Sequence, residues 1–231
     1  SKPFDIGGTT AAGLNAIRGR GRPNLESQSN GALMRVSPIG IYSARNPEQA
    51  SKLAREDAAL THPHPVCLAS SAAFAAAIAA GIGGADNRTM WSVAHAHAGD
   101  DEGGSIVRTC LEQSVYGGPA EFMRNQGWVL TALGNAFHRL WVGQTLEDAV
   151  IETVATGGDT DTNGAICGAL LGAAQGRDAV PLRWRRKILV CRAVPVTGVQ
   201  HPRPHAYWPD DALELAEALL TIRQCSRMEP R

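Results

Sequence analysis

Apolar residues recur along the chain at three- and four-residue steps and nowhere alternate convincingly, so the pattern predicts helices and no strands. Asn46-Pro47-Glu48 carries the start signals of one helix: a capping side chain, a proline preset for the first turn and an acid near the positive end of the helix dipole. Ala50, Leu53, Ala54, Ala58 and Leu60 give it an apolar face. From Val66 to Ala85 there is no charged residue, and the stretch is long enough to cross a bilayer. It is rich in alanine, serine and glycine, which insert poorly, so it is predicted as a buried helix of a globule.

Further helices are predicted from Asp86 to Ala98 and from Glu121 to Val142, the second with Trp128, Leu130, Leu133, Ala136, Phe137, Leu140 and Trp141 in the core. Thr145-Leu146-Glu147-Asp148 resembles a capping box with Asp in place of Glu, and opens a helix that stops at Gly157-Gly158. Thr160 to Gly176 is helical in period, with Gly164, Gly168, Gly172 and Gly176 along one face. Each such glycine costs about 0.8 to 1 kcal/mol relative to alanine, so unusually close helix packing is expected there. Pro181 to Pro204 is predicted to be irregular, and Asp210-Asp211 to cap a last amphipathic helix. No repeat and no linker divides the chain, which reads as a single all-α domain over residues 1–231.

The 231 residues can bury a substantial core, which excludes a disulfide-dependent mini-protein. Lysine and arginine together number 22, as do aspartate and glutamate, so no overall field draws the protein to nucleic acid or to an anionic membrane. Cys67, Cys110, Cys167, Cys191 and Cys225 are odd in number and form no CxxC pair. They read as buried structural thiols of a protein in a reducing cytoplasm. The sequence starts Ser1-Lys2-Pro3-Phe4, without a signal-peptide apolar region or an initiator methionine, and suggests a trimmed or processed chain.

Three short phrases carry candidate chemistry. In Gly157-Gly158-Asp159-Thr160-Asp161-Thr162-Asn163, two carboxylates and a hydroxyl sit on a glycine turn at the head of a helix. Such hard oxygen donors suit Mg²⁺, Mn²⁺ or Ca²⁺, and the lack of cysteine and histidine argues against zinc. The same residues are also ordinary helix caps. Around Asn30-Gly31, in Ser29 to Arg35, small residues would let a phosphate or ribose reach backbone amides, although Asn-Gly is equally a common turn. Thr61-His62-Pro63-His64-Pro65 places two histidines at a helix junction, where they line a pocket or simply cap and pack. His95 and His97 are taken as structural.

In this order, Ser29 to Gly40, Thr61 to His64 and Gly157 to Asn163 closely resemble the ADP-ribosylglycohydrolase family, which includes the dinitrogenase reductase-activating glycohydrolases. Pro3 to Thr10 resembles its Asp-Ile-Gly segment, and the likeness runs from about Ser1 to Trp184. It implies a compact orthogonal helical bundle, two Mg²⁺ or Mn²⁺ ions, and hydrolysis of the bond joining ADP-ribose to a protein side chain, with arginine the favoured acceptor. Carried over by position, Asp159, Asp161 and Thr162 would be metal ligands and Asp5, Asp159 and Asp161 catalytic carboxylates. Asn30, Gly31 and Ala32 would meet the ribose and diphosphate, and His62 would line the pocket.

The family's Gly-Asp-Ala-Leu-Gly and Thr-Asp-Asp-Thr stretches, which supply the other metal ligands, do not occur in these residues. The adjacent pairs Asp100-Asp101 and Asp210-Asp211 stand in other contexts. The missing segment has been lost, or is supplied by another chain, or the chain is a degenerate relative. The expectations are therefore a hydrolase acting on ADP-ribosylated protein whose isolated chain is weakly active or inactive, or a module that binds ADP-ribose without turnover, or a structural, crystallin-like relative. No nucleic acid and no membrane is expected as a partner.

Overall fold

The computed structural model describes residues 5–226, with side chains to residue 222. Among the described residues there are eleven α-helices and no strand, apart from one isolated antiparallel bridge between Ser29 and Trp128. The all-α expectation holds.

The core is built round α4 (Pro65–Ile82), the charge-free stretch. It is buried on every side by α2 (Ser37–Tyr42), α3 (Pro47–Ala59), α5 (Asn87–His97), α6 (Glu102–Ser114), α7 (Val129–Trp141) and α9 (Thr160–Gln175). An all-round apolar helix belongs in such a place, and its alanines let six neighbours approach. Phe74 on α4 and Phe137 on α7 are fully buried and fill the space between the small side chains. The long apolar helix is thus a core helix, most of it enclosed by protein.

The caps expected at Asn46 and Thr145 form, and Asp86, read only as a helix start, caps as well; Asp210 and Asp211, expected to cap the last helix, lie instead in a short turn before it, where Asp210 pairs with Arg192. The Asn46 side chain accepts from Gln49 N (3.0 Å) at the start of α3, and Asp86 from Thr89 N (2.7 Å) at the start of α5. Thr145 opens α8 (Leu146–Ala155) by accepting from Asp148 N, while its hydroxyl donates back to the Asp148 carboxylate at 2.7 Å. His64 accepts from Val66 N (3.2 Å) and caps α4. His95 stacks on Trp91 and pairs with Glu112, the structural role expected of it.

Five further expectations are corrected. The helix predicted from Glu121 begins only at Val129, because Trp128 is drawn into extended backbone by its bridge to Ser29, which leaves 121–127 as turns. Trp128, assigned to the core, is 39% exposed, and its indole N–H donates to Gln28 Oε1 at 2.8 Å. Within the stretch predicted irregular, α10 (Leu182–Leu189) forms after Pro181 and tucks Trp184 against the core. Cys191 is exposed rather than buried, whereas burial pushes the thiols of Cys67 and Cys110 up to about 12 and about 11.

The glycine face of α9 is the fifth. A Cβ on Gly164, Gly168 or Gly172 would stand 3.4 to 3.8 Å from Val154, Val150 and Leu146 of α8. That is ordinary contact, so the face packs on α8 but would also accept alanine there. Gly176 instead ends the helix with a positive φ of 79° and extended ψ, a conformation that favours glycine.

Three helices had no prediction: α1 (Gly8–Ile17), the short α2, and α6. The last is capped by Asp101, whose carboxylate accepts from Gly104 N at 2.7 Å, so the Asp100-Asp101 pair serves a helix start. Its glycines are needed for close approach, since a Cβ on Gly103 would sit 2.5 Å from the Pro65 carbonyl carbon. After α10 the chain leads to α11 (Ala212–Ser226), which packs on α2.

Candidate active site

The turn between α8 and α9 runs through Gly157 and Gly158 at φ 87° and 74°, a left-handed pair that side chains would strain. It delivers Asp159 to the start of α9. Asp159 occupies the cap position, yet its carboxylate makes no capping bond. Instead Oδ2 accepts from Asn30 Nδ2 at 2.8 Å. The second hydrogen of that amide goes to Asn163 Oδ1 at 3.2 Å, and Asn163 Nδ2 in turn donates to Gln126 O at 3.0 Å. Asn30 and Asn163 are buried, Asp159 is half-buried and Asp161 is exposed beside a half-buried Thr162. Buried amides with satisfied hydrogen bonds are stiff, so the orientation of the Asp159 carboxylate is fixed from the side away from solvent.

Residues 121–128 form the wall of this site. Met123 and Gln126 pack so closely over the glycine turn that a Cβ on Gly157 or Gly158 would lie 2.9 or 2.8 Å from them. Gly127 O accepts from Asn30 N at 3.0 Å, which ties the same wall to the Asn-Gly turn. Asn163, Gln126 and Trp128 are the site neighbours that the sequence reading did not assign. Asn163 lies inside the quoted motif, where a buried amide among small residues was the available signal; for Gln126, which acts through its backbone carbonyl, the sequence carries none.

His62 lies under the turn that carries Asn30. Its ring is fully buried, with Nδ1 2.7 Å from Thr61 Oγ1 and Nε2 3.1 Å from Ser29 Oγ. A Cβ on Gly31 would stand 2.9 Å from His62 Nε2, so glycine is what lets the turn rest on the imidazole. Ala32 is buried just beyond it. Thr9, in the first turn of α1, joins the same group: its hydroxyl is 2.7 Å from Ser27 Oγ and 3.3 Å from Ser29 Oγ. Asp5 is exposed and precedes α1. The structure thus brings together Asn30, Gly31, His62 and Asp159, while Asp5 stands at the surface.

Burial, with the Arg35 guanidinium adding to it, lowers the pKa of His62 to about 4. The ring is neutral at pH 7. Unfolded, an imidazole titrates near 6.5, so between about 4 and 6.5 the unfolded chain binds more protons and stability rises with pH. As pH falls through that window the protein is expected to lose roughly 3 kcal/mol on this account. Urea unfolding at about pH 4.5 and pH 7 should show a larger acid loss for the wild type than for His62→Gln. Equal losses would remove His62 from the acid sensitivity.

Asp159, Asp161 and Thr162 offer two carboxylates and a hydroxyl, the hard oxygens a divalent cation takes. Asn30 engages one Asp159 oxygen and leaves the other free. Among the described residues no group of three or more His, Cys, Asp or Glu side chains gathers at one point. The set fits one side of a cation and falls short of the six or more oxygens of a full shell.

A chain of an "ADP-ribosylglycohydrolase-related protein complex" superimposes with a TM-score of 0.72 at 25% identity, over 94% of this chain and 69% of that one. The ADP-ribosyl-[dinitrogen reductase] glycohydrolase of Rhodospirillum rubrum is 27% identical over 192 residues, 81% of this chain and 61% of that protein. An uncharacterized protein of Archaeoglobus fulgidus is 29% identical over 190 residues, 76% of this chain and 59% of its own. The chain thus spans about three fifths of the length of these two relatives. The ADP-ribosylglycohydrolase family model matches residues 1–227, and with the three motif phrases meeting at Asn30, His62 and Asp159, the chain belongs to the ADP-ribosylglycohydrolase family.

Proposed function

We propose that the protein hydrolyses the glycosidic bond between ADP-ribose and a modified protein side chain, with arginine as the acceptor, in a reducing cytoplasm. The observation that carries this reading is the Asn30–Asp159 hydrogen bond. It joins a turn suited to ribose and phosphate directly to the carboxylate suited to a metal, across 129 residues of sequence.

In this reading Asp159, Asp161 and Thr162 would hold one side of a site for two Mg²⁺ or Mn²⁺ ions, and further polypeptide, of this chain or another, would supply the remaining ligands. Bound there, the ions would orient the ribose hydroxyls and lower the pKa of a water. Asn30 holds the Asp159 carboxylate in one orientation. Asn30, Gly31 and Ala32 present a narrow backbone to the ribose and diphosphate, and neutral His62 supports that turn from below. The oxocarbenium-like transition state would gain from the negative charge of Asp159 and Asp161, and Asp5, which stands at the surface before α1, would join them as a proton carrier only if the start of the chain folds toward the site.

The test is calorimetric titration of the chain with ADP-ribose, beside mass-spectrometric assay of ADP-ribose release from an ADP-ribosylated arginine protein, with Mn²⁺ or with chelator. Binding is expected, with metal-dependent release that is slow for this chain by itself, since one side of a metal shell leaves the ion mostly hydrated. Binding with no release at all would favour the ADP-ribose-binding module, the second reading that the one-sided donor set supports. Neither binding at about 1 mM ligand nor release would overturn both.

A further inference from the structure

Beneath the Asn-Gly turn a line of hydrogen bonds has a direction that can be worked out donor by donor. Arg35 is clamped by Asp57, donating through Nε to Oδ2 at 2.9 Å and through Nη2 to the backbone carbonyl at 2.8 Å. Its Nη1 donates to Thr61 Oγ1 at 2.8 Å. A guanidinium has only donors, so Thr61 Oγ1 accepts there. With one lone pair taken by Arg35, the threonine hydroxyl has, among the described residues, no acceptor besides His62 Nδ1 at 2.7 Å, so its proton is used only if Nδ1 accepts it. A neutral imidazole with Nδ1 accepting carries its proton on Nε2, and that proton goes to Ser29 Oγ at 3.1 Å.

The far end agrees independently. Ser29 Oγ donates to Thr9 Oγ1 at 3.3 Å, Thr9 and Ser27 hydroxyls lie 2.7 Å apart, and Ser27 Oγ donates to Ser29 Oγ at 3.3 Å. Each of the three hydroxyls can give one proton and receive one round this ring, and the second lone pair of Ser29 is what remains for His62. The opposite tautomer would need the Ser29 proton and break the ring, and it would also turn an N–H toward Thr61 and leave the threonine proton unused.

We propose that Arg35 and Thr61 are positioning residues: they fix His62 as its Nε2–H tautomer and, through Ser29, hold the Ser29–Gly31 turn where Asn30 meets Asp159. Neither residue touches the ligand in this scheme. The effect on ligand binding rests on the function proposed above; the tautomer does not.

The experiment is ¹⁵N–¹H correlation spectroscopy of the histidine-labelled chain, with the His62 signals identified as those lost in His62→Gln. The wild type should show the Nε2–H pattern. Thr61→Ser should keep it, whereas Thr61→Val, which retains the shape and loses the hydroxyl, should shift His62 toward Nδ1–H or a mixture. ADP-ribose affinity should fall about tenfold in Thr61→Val and stay within about twofold of wild type in Thr61→Ser, the usual scale for removing a group that orients a binding residue. An Nδ1–H pattern in the wild type, or an unchanged tautomer in Thr61→Val, overturns the relay. Failure of the wild type to bind ADP-ribose overturns the functional reading and leaves the spectroscopic result to decide the relay. The wild-type tautomer is read without Thr61→Val, so a Thr61→Val protein that does not fold leaves the question answerable.

Discussion

Asp159→Asn is expected to lower the release of ADP-ribose by more than about 10²-fold while moving Tm by no more than about 2 °C. The two halves of this result come from the same geometry. Asp159 stands at a helix start, where a capping carboxylate would stabilise the protein by about 1 kcal/mol. Its side chain makes no such bond, and an asparagine oxygen at the same place still accepts from Asn30 Nδ2. The substitution therefore removes charge where a cation would sit and leaves packing and hydrogen bonding in place. Thermal melts beside turnover measure both halves, with Mn²⁺ uptake by calorimetry where turnover is too slow to follow. A fall in Tm with cation uptake and turnover unchanged would mean that Asp159 is only a helix cap.

Gly13→Ala is expected to destabilise the protein by about 2 to 3 kcal/mol, a drop in Tm of roughly 5 to 10 °C. A Cβ there would stand 2.5 Å from Thr61 Cα, 2.9 Å from Thr61 Cβ and 3.0 Å from Leu60 O. Two of these atoms are backbone at the end of α3, and no side chain can swing aside to make room. The helix that must lift away is α1, which brings Thr9 to Ser27 and Ser29, so ADP-ribose binding should weaken together with stability. Gly8→Ala in the same helix has nothing within 4 Å of its new methyl and should be harmless or mildly stabilising. Equal melting of the two variants would show that α1 is not docked through Gly13.

What could be read from the sequence follows from range. Asn46 and Thr145 act within three residues of themselves, and their helices start where these caps predict. The charge-free stretch named the core helix because no other surroundings suit it. The helix over 121–127 failed for the opposite reason: its periodicity is sound, but Trp128 is claimed by Ser29, about a hundred residues earlier, and no local signal reports that. The glycines at the head of α6 hid a helix, since the space they serve, against Pro65, exists only in the folded chain. At the site, the motif phrases named Asn30, His62 and Asp159. They could not reveal that Asn30 holds Asp159, that Asn163 shares the same amide, or that His62 has both nitrogens engaged.

The bond between Asn30 and Asp159 closes a loop of 129 residues, and this sets an order of events. Contacts between helices adjacent in sequence, such as α3 with α4 or α8 with α9, repay the cost of chain closure early, whereas one spanning more than half the polypeptide can form only after the core has condensed. The candidate site is thus expected to assemble late, together with the packing of α11 on α2, which spans more of the chain still. An opening that parts residues 29–31 from 157–163 would silence it while the helices around α4 stay packed, so competence at this site reports on the closure of the whole chain rather than on any single helix.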